Sequence, residues 1–377
     1  MNNWVHCLRS GNAVNYRIKS ITMSSRVFKE NAGAAPIGIE DNVAGEDCPM
    51  ISAETYAEFL QRHEVVMRDE VTMLGFKAAI EANADLFRNA IVLEVGCGSA
   101  LLSLWAAQQG AARVIAVEPS AVCQVARQLV RQNQLEHIIE VIQGNVEQLQ
   151  LPTVDIIISK WMGACLMYSS ALEAVIYARD KWLKPGGSIF PHIANLYIAA
   201  ANQPRDSPDI FSSPLHYWTH YCGLNLRQAW RIIQQTPAIS CVDAAQVLTQ
   251  RQVLRRFDMR TLKRCELSFA MPFKLRTLRQ AIAKWFVLYF DFRFPGAPHL
   301  KPITTSPSAA STQWKQALFH IDAHLPLCVG DVLTGQFRVE RGLRHLDFDI
   351  DWSFHNELVN VKLHKQIYRM QGEAEAV

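Results

Sequence analysis

Residue types that could carry chemistry first come together in the stretch Ile91–Ser120. An apolar run ends in Glu94, a turn with Gly96 and Gly98 follows, and a second apolar run ends in Glu118. This pattern predicts a strand, a tight turn, a helix and a second strand with a carboxylate at its tip. Glycines let a ligand approach the backbone, and a carboxylate can accept two hydrogen bonds from a ribose. The stretch is therefore typical of a nucleoside site.

The spacing within the turn indicates which nucleoside it suits. A dinucleotide-binding turn has a third small residue three positions after Gly98, and here that position is Leu101. The pattern E-V-G-C-G-S-A, followed at the right spacing by Glu118, resembles the first motif of S-adenosylmethionine-dependent methyltransferases. The resemblance implies S-adenosyl-L-methionine as cofactor. A strand–helix–strand unit that binds no ligand is the alternative on motif grounds.

A further predicted strand, Ile138–Ile142, adds to the same site. In a doubly wound parallel sheet the loops after the carboxyl ends of the strands form the ligand crevice. The loop after this strand contains Val146 and Glu147, which we expect beside the adenine. The next strand, Val154–Ser159, leads directly into a loop that begins at Lys160.

Composition narrows the class of protein. The chain has 377 residues, a formal net charge of +3 and 49% hydrophobic residues, which predicts roughly two domains and neither disorder nor a strongly basic nucleic-acid binder. Its nine cysteines form no C-x-x-C pair, which argues against a disulfide framework and a zinc site. No apolar run reaches membrane-spanning length. We expect a soluble protein of a reducing compartment, the cytoplasm or the nucleus, with no metal and no membrane partner.

Three regions follow along the chain. Residues 1–48 lack periodicity and predict a flexible extension, and residues 49–190 hold the α/β pattern above. Residues 191–377 predict an all-β domain, because stretches such as Leu346–Phe354 alternate apolar and polar residues with a period of two. The segment 212–235 is an aromatic, helix-like exception within this region.

From about Ile51 to Met370 the chain resembles type I protein arginine N-methyltransferases. The matching motifs are D-E-V at 69–71, V-L-E-V-G-C-G, V-I-A-V-E-P-S, W-M-G at 161–163, Y-A-R-D-K-W-L-K-P-G-G and T-x-W-K-Q at 312–316. The resemblance implies a Rossmann-like class I methyltransferase domain, then a β-barrel with a helical dimerisation arm at about 212–235. Active members of that family work as head-to-tail dimers.

The acceptor loop departs from the family pattern. A guanidinium is always protonated, and a bidentate carboxylate both matches its fork and offsets its charge. The family supplies two glutamates for this purpose, and their positions here are Lys160 and Ser169. The family's histidine near the barrel is Gln313, which has no useful pKa for proton removal. We therefore expect no catalytic residues in this chain.

The cofactor lid departs as well. The family's arginine that meets the cofactor carboxylate is Thr72, and its lid methionine is Val66. Its third turn glycine is Ala100, and its Tyr-Phe pair has no counterpart around 51–54. The adenosine side, by contrast, keeps its residues, which are Glu94, Gly96, Gly98, Glu118, Val146 and Glu147. We expect weak cofactor binding or none.

The favoured hypothesis is a non-catalytic, regulatory subunit. It would pair with an active arginine methyltransferase paralogue, stabilise or activate it, and act with it on protein substrates, among them RNA-binding proteins. One alternative is an active enzyme in which Asp69, Glu70 or Glu173 replaces the lost glutamates. A second alternative is an RNA- or protein-binding scaffold that works alone through its basic extension.

Overall fold

The computed structural model describes residues 57, 59, 63–169, 171–202, 224–342 and 345–371. The chain divides into two units, Met1–Met50 and Ile51–Val377, and every element below belongs to the second. The predicted extension at 1–48, the lid start at 51–54 and the first half of the arm predicted at 212–235 lie outside the described residues.

Three helices precede the first sheet: α1 (Glu64–Arg68), α2 (Glu70–Ala82) and α3 (Ala84–Phe87). Asp69 caps α2, because its Oδ1 accepts a hydrogen bond of 3.1 Å from the backbone N–H of Thr72. The buried residues of α2 include Phe76, Ala79 and Ile80, at the three- and four-residue spacing of one helix face. This face attaches the lid region to the core.

The first sheet is parallel and has the strand order β3-β2-β1-β4-β5. Its strands are β1 (Ile91–Val95), β2 (Arg113–Glu118), β3 (Ile139–Gln143), β4 (Val154–Ile158) and β5 (Leu183–Phe190). The helices that flank it are α4 (Leu101–Gln108), α5 (Cys123–Gln132) and α6 (Ala171–Trp182). The strand order reverses between β1 and β4, so the loops after these strands line one crevice.

Two antiparallel sheets form the second half. The larger has the order β7-β12-β10-β6-β8, with β11 paired to β10, and the smaller has the order β15-β14-β13-β9. The larger comprises β6 (Ile193–Ala201), β7 (Ala238–Ser240), β8 (Gln252–Asp258), β10 (Ala281–Arg293), β11 (Ile303–Thr304) and β12 (Gln316–Leu327). The smaller comprises β9 (Phe269–Arg276), β13 (Val332–Arg341), β14 (His345–His355) and β15 (Asn360–Gln371).

Aromatic side chains join these two sheets into a barrel with a common core. Phe273 packs against Phe286 with ring centroids 5.7 Å apart, and Phe319 packs against Phe348 at 4.9 Å. The predicted α/β domain followed by a β-barrel is confirmed. No helix in the described part of the chain is long and apolar enough to cross a membrane.

Some predicted elements differ in detail. The segment before β9 is a 3₁₀ turn, Arg264–Leu267, and the chain becomes extended only at Phe269. The stretch K-P-G-G at 184–187, a typical turn sequence, is part of β5, which has a register shift opposite β4. Strand β8 was not predicted, because the consecutive Arg255 and Arg256 interrupt the apolar alternation. Of the predicted arm, the structure describes helix α7 (Arg227–Gln234).

Candidate functional site

The glycine turn and the acid at the tip of β2 form one unit. Gly96 and Gly98 both have positive φ angles, 71° and 52°. The backbone N–H of Gly98 donates to Oε2 of Glu118 over 2.9 Å, while the N–H and Oγ of Ser120 donate to Oε1 over 3.0 and 2.6 Å. The structure thus brings the predicted glycines and Glu118 together at the carboxyl edge of the sheet.

The residue before α1 covers this turn. A Cβ at position 98 would lie 2.5 Å from Cε1 and 2.7 Å from Nδ1 of His63, so only glycine fits beneath the imidazole. Phe59 stacks on His63 with ring centroids 5.9 Å apart. The sequence gave no sign of this contact.

Ala100 occupies the left-handed conformation at the start of α4, with φ 61°. The family has glycine here, and an L-residue bears a strain that glycine does not. The backbone N–H of Ala100 donates to the carbonyl of Cys97 over 2.7 Å, which closes the turn in spite of that strain.

Glu94 is buried and faces away from solvent. Its Oε2 accepts a hydrogen bond of 2.8 Å from the backbone N–H of Ser103 and another from the Ser103 hydroxyl. Burial raises the pKa of Glu94 to about 8, against the opposing effect of the Ser103 bonds and with a smaller contribution from Glu118. Near neutral pH this carboxyl is largely protonated, and its role is to tie β1 to α4.

The remaining cofactor-side residues lie on a 3₁₀ turn, Val146–Gln148. Val146 is buried in the core and Glu147 is exposed. The backbone N–H of Gly144, at the start of this loop, donates to the carbonyl of Glu118 over 3.0 Å. Both predicted residues therefore lie on the loop that adjoins the tip of β2.

The loop after β4 is compact. A Cβ at Gly163 would overlap the carbonyl oxygen of Tyr168, and Cys165 and Leu166 both have positive φ angles, 55° and 67°. Short antiparallel bridges join Gly163 to Leu166 and Ala164 to Tyr168. The loop that would hold the acceptor is a tight turn folded back on itself.

Lys160 begins this loop and lies against the barrel. Its Nζ is 5.5 Å from the centroid of the Trp314 ring, within the range of a cation–π contact. The Trp314 indole in turn donates to the carbonyl of Met162 over 2.9 Å. A positive charge thus stands at the first of the two positions where the family has a glutamate.

Ser169, at the second position, is fully buried and serves the helix that follows. Its Oγ accepts a 3.2 Å hydrogen bond from the backbone N–H of Ala171, the first residue of α6. A hydroxyl in this place satisfies one of the free N–H groups at a helix N-terminus. Ser169 therefore stabilises the start of α6.

A guanidinium from the barrel holds the loop from outside, which the sequence did not predict. Arg341 of β13 donates to the carbonyls of Met167 and Ser169 over 2.6 and 2.8 Å, and to Oε1 of Glu173 over 2.5 Å. Arg264 contacts the other oxygen of Glu173 at 2.6 Å. No local signal could have revealed this, because Arg341 and Glu173 are 168 positions apart.

Asp69 is engaged as well. Its Oδ2 accepts hydrogen bonds from Oγ1 of Thr72 over 2.8 Å and from the backbone N–H of Gln313 over 2.9 Å. Thr72 is fully buried in this contact, and Val66 packs against the core. Glu70, the remaining candidate replacement, is exposed at the start of α2.

Three buried polar side-chain atoms around the loop have no hydrogen-bond partner in the described residues. They are Nε1 of Trp161, Oγ1 of Thr312 and Nε2 of Gln313. Unsatisfied buried donors are rare, and they mark a polar space between the loop and the barrel. The side-chain amide of Gln313 is therefore buried beside the loop. The two loop positions where the family has glutamates, 160 and 169, offer it no carboxylate.

Two family models match the chain. A model described as an arginine methyltransferase oligomerization subdomain matches residues 192–357, and a methyltransferase domain model matches residues 92–187. The two matches follow the barrel and the parallel sheet described above.

Whole-chain relatives agree with these matches. Protein arginine N-methyltransferase 8-B of Danio rerio is 35% identical over 315 residues, which cover 82% of this chain and 74% of the relative. Protein arginine N-methyltransferase 1 of Caenorhabditis elegans is 35% identical over 316 residues, which cover 82% and 89%.

Among solved structures, the chain is similar to one from the Trypanosoma brucei PRMT1 enzyme-prozyme heterotetrameric complex with AdoHcy. The TM-score is 0.79 at 30% identity, over 84% of this chain and all of that one. Protein arginine methyltransferase 10 of Arabidopsis thaliana gives a TM-score of 0.74 at 26% identity, over 82% of this chain and 97% of that one. With the turn, the loop and the barrel in the arrangement above, the chain belongs to the protein arginine N-methyltransferase family.

Proposed function

We propose that this chain is a non-catalytic, regulatory subunit that pairs with an active arginine methyltransferase paralogue and stabilises or activates it. One observation carries the proposal. Neither loop position has a carboxylate, and the two nearby carboxylates that are buried or half-buried, Asp69 and Glu173, are bound by other groups.

Lys160 disfavours the acceptor directly. A like charge about 4 Å from a substrate guanidinium is unfavourable by up to ~4 kcal/mol at an effective dielectric constant near 20. The family's attraction at this position becomes repulsion. Because each ~1.4 kcal/mol changes a rate tenfold, two such losses remove useful turnover.

The candidate replacement acids do not offset this loss. Asp69 uses its oxygens to cap α2 and to hold Gln313, and Glu173 is shared between Arg341 and Arg264. A carboxylate that already neutralises a guanidinium of its own chain has little to offer a second one. This argues against the alternative of an active enzyme with substituted acids.

The cofactor side supports retention of an adenosine site. S-adenosyl-L-methionine would supply an electrophilic methyl group when bound. Gly96 and Gly98 give the turn its positive φ angles, and Glu118 stands at the tip of β2 where it can accept from a ribose. Thr72 offers no positive charge to the cofactor carboxylate, so binding would be weak and would serve folding or assembly.

Two exposed apolar surfaces support pairing. The lid helices expose Val65, Met67, Val71 and Leu74, and the arm region exposes Leu224 and Ile232. Helix α7 itself rests on the barrel through Trp230, whose ring lies 6.0 Å from that of His320. Two different patches on one chain suit a head-to-tail contact with a similar chain.

The similar Trypanosoma brucei chain comes from an enzyme-prozyme heterotetrameric complex. That precedent supports an assembly in which one chain of the family acts beside an active one. A subunit that binds only the folded partner stabilises it by mass action.

The first test is native mass spectrometry of the complex purified from the protein's own cells. We expect a stoichiometric second methyltransferase chain with glutamates at both loop positions. Methyl transfer to arginine peptides should be absent from the isolated chain and present in the complex. A self-only assembly that transfers methyl groups would overturn the proposal.

The pairing surface is tested with matched variants. Ile232→Glu and Leu74→Glu should each weaken association with the partner by at least tenfold, because they bury a charge in an apolar contact. The control is Leu358→Glu, which changes an equally exposed leucine in a barrel turn. Equal loss of pairing in all three variants would contradict the assignment of the surface.

A further inference from the structure

We infer that the barrel carries a binding site for a small organic phosphate monoester, in a basic cavity beside the start of β6. The cavity has a volume of about 390 Å³, which is within the size range of small-molecule sites. Its basic lining residues are His192, Arg256, Arg293 and Lys301.

The strand register brings the two arginines to one face. Arg256 of β8 pairs with Asn195 of β6, and Arg293 of β10 pairs with Ile193 of β6. Because residues 193 and 195 point to the same side of β6, both guanidinium groups flank one spot on the sheet. Two planar guanidinium forks over one spot suit the tetrahedral oxygens of a phosphate.

These cations have no acidic partner. The side chains of Arg256, Arg293 and Lys301 make no ion pair or hydrogen bond with any other described residue, and no carboxylate lines the cavity among those residues. Like charges held together without a counter-ion raise the local potential and attract an anion.

Two carboxylates on the strands around the cavity are already bound by other groups. Oδ1 and Oδ2 of Asp258 accept hydrogen bonds from Nε and Nη2 of Arg260 over 2.9 and 2.6 Å. Asp291 accepts from Nδ2 of Asn195 over 2.8 Å and from the Tyr197 hydroxyl over 2.7 Å. Neither is available to neutralise the cavity.

The opposite wall is a rigid, apolar loop. Asn83, at the end of α2, donates to the carbonyl of Pro295 over 3.1 Å, and a Cβ at Gly296 would overlap the Asn83 amide. Phe294 packs edge-on against Phe76 with centroids 4.9 Å apart. The loop continues through Pro298 and Leu300, so half of the lining is apolar. A fixed wall means that the cavity exists before the ligand arrives.

The combination of basic side chains and an apolar wall identifies the chemical class of the ligand. Arginine and lysine bind the phosphate oxygens, and the proline- and phenylalanine-lined wall suits a small apolar body attached to them. The cavity has room for one small molecule only. A nucleic-acid surface needs instead a groove that follows several phosphates and exposes aromatic rings for base stacking. A single phosphate monoester therefore fits better than an RNA strand.

His192 makes the binding sensitive to pH. Its backbone N–H donates to the carbonyl of Arg293 over 3.1 Å, and its Nδ1 lies 3.1 Å from the same oxygen. Burial lowers the pKa of His192, and Arg260 and Arg256 lower it further, while the Arg293 carbonyl and Asp258 act in the opposite direction. A bound dianion favours the protonated ring, so affinity for an anion rises as the pH falls through the His192 pKa.

The site is tested by calorimetric titration of the full chain with phenyl phosphate, with inorganic phosphate, and with benzyl alcohol as a phosphate-free probe. We expect saturable binding of phenyl phosphate tighter than about 1 mM, weaker binding of phosphate and none of benzyl alcohol. Arg256→Gln and Arg293→Gln should each reduce the affinity roughly 10- to 100-fold. Lys274→Gln, which removes an exposed cation elsewhere on the barrel, should change nothing.

Two further measurements separate the outcomes. Thermal unfolding of Arg256→Gln and Arg293→Gln should match that of the unaltered chain, because both side chains are exposed. Sulfate, whose charge is constant, should bind more tightly at pH 5.5 than at pH 7.5, and His192→Asn should abolish that difference. Equal affinity in all variants, or binding of a long RNA with no binding of the monoester, would overturn the proposal.

Discussion

The glycine turn after β1 and the loop after β4 lie at the same edge of one parallel sheet, but only the turn keeps the residues that the family has there. The turn keeps Gly96, Gly98 and Glu118 in the arrangement of a nucleoside site, and its bonds come from its own domain. The loop after β4 has Lys160 and Ser169 in place of acids, and the barrel holds it through Trp314 and the guanidinium of β13.

This difference between the turn and the loop shows that cofactor binding and methyl transfer depend on different residues. A cofactor site needs backbone space and one carboxylate, and both are present. Methyl transfer to a guanidinium also needs two free carboxylates aimed at the acceptor, and neither loop position has one. In this chain the loop is instead bound to the barrel, through Trp314 and Arg341.

The largest expected effect concerns the bonds that hold the loop. Arg341→Ala should lower the free energy of unfolding by about 3 kcal/mol, because it leaves two buried carbonyls and the Glu173 carboxylate without a donor. The matched variant Arg338→Ala, on the same strand, removes an ion pair with Asp351 and should cost less than about 1 kcal/mol. Urea unfolding of both variants measures the difference, and equal losses would show that the barrel does not hold the loop.

A smaller effect is expected at the turn. Gly98→Ala places a Cβ against His63 and should weaken binding of S-adenosyl-homocysteine roughly 30-fold, since the lid must shift. Gly186→Ala is the control, because that residue also has a positive φ but faces open space. Titration calorimetry of both variants measures the affinities. If Gly186→Ala weakened binding as much, backbone strain and not the lid contact would be responsible.

The buried acid of β1 gives a pH effect. The pKa of Glu94 is about 8 in the folded chain and has its ordinary value of 4.5 in the unfolded chain, so the folded chain holds one more proton between these values. Stability should therefore fall by about 2 kcal/mol as the pH rises from roughly 6 to roughly 7.5. Glu94→Gln keeps the shape and cannot titrate, so its denaturation midpoints should lose this dependence. Parallel pH profiles for the two proteins would contradict the assignment.

The smallest effect is at the start of the loop. Lys160→Gln should lower the free energy of unfolding by no more than about 1 kcal/mol, because the contact with Trp314 is a single cation–π interaction. Partner pairing should be unchanged, since Lys160 is not one of the residues of the exposed apolar patches. A large loss of stability would mean that the lysine was retained for packing and would weaken the contrast between the two regions.

Local patterns in the sequence were sufficient to predict both halves of the fold. The period-two alternation of Leu346–Phe354 became β14, and the strand–turn–helix around Gly96 and Gly98 became β1 and α4. Strand β8 was missed because two consecutive arginines, Arg255 and Arg256, interrupt its apolar alternation. Of the predicted helical arm, the described residues include the helix α7.

The sequence by itself determined which chemical groups are present: glycines and acids at the turn, and a lysine and a serine where the acceptor loop needs carboxylates. Only the tertiary structure decided how the remaining acids are used. Glu173 contacts Arg341 and Arg264, and strand pairing places Arg256 and Arg293 on opposite sides of β6, although all these residues are far apart in the chain. A local pattern specifies which face of a strand or helix a side chain occupies, but the partner on that face is set by packing between elements.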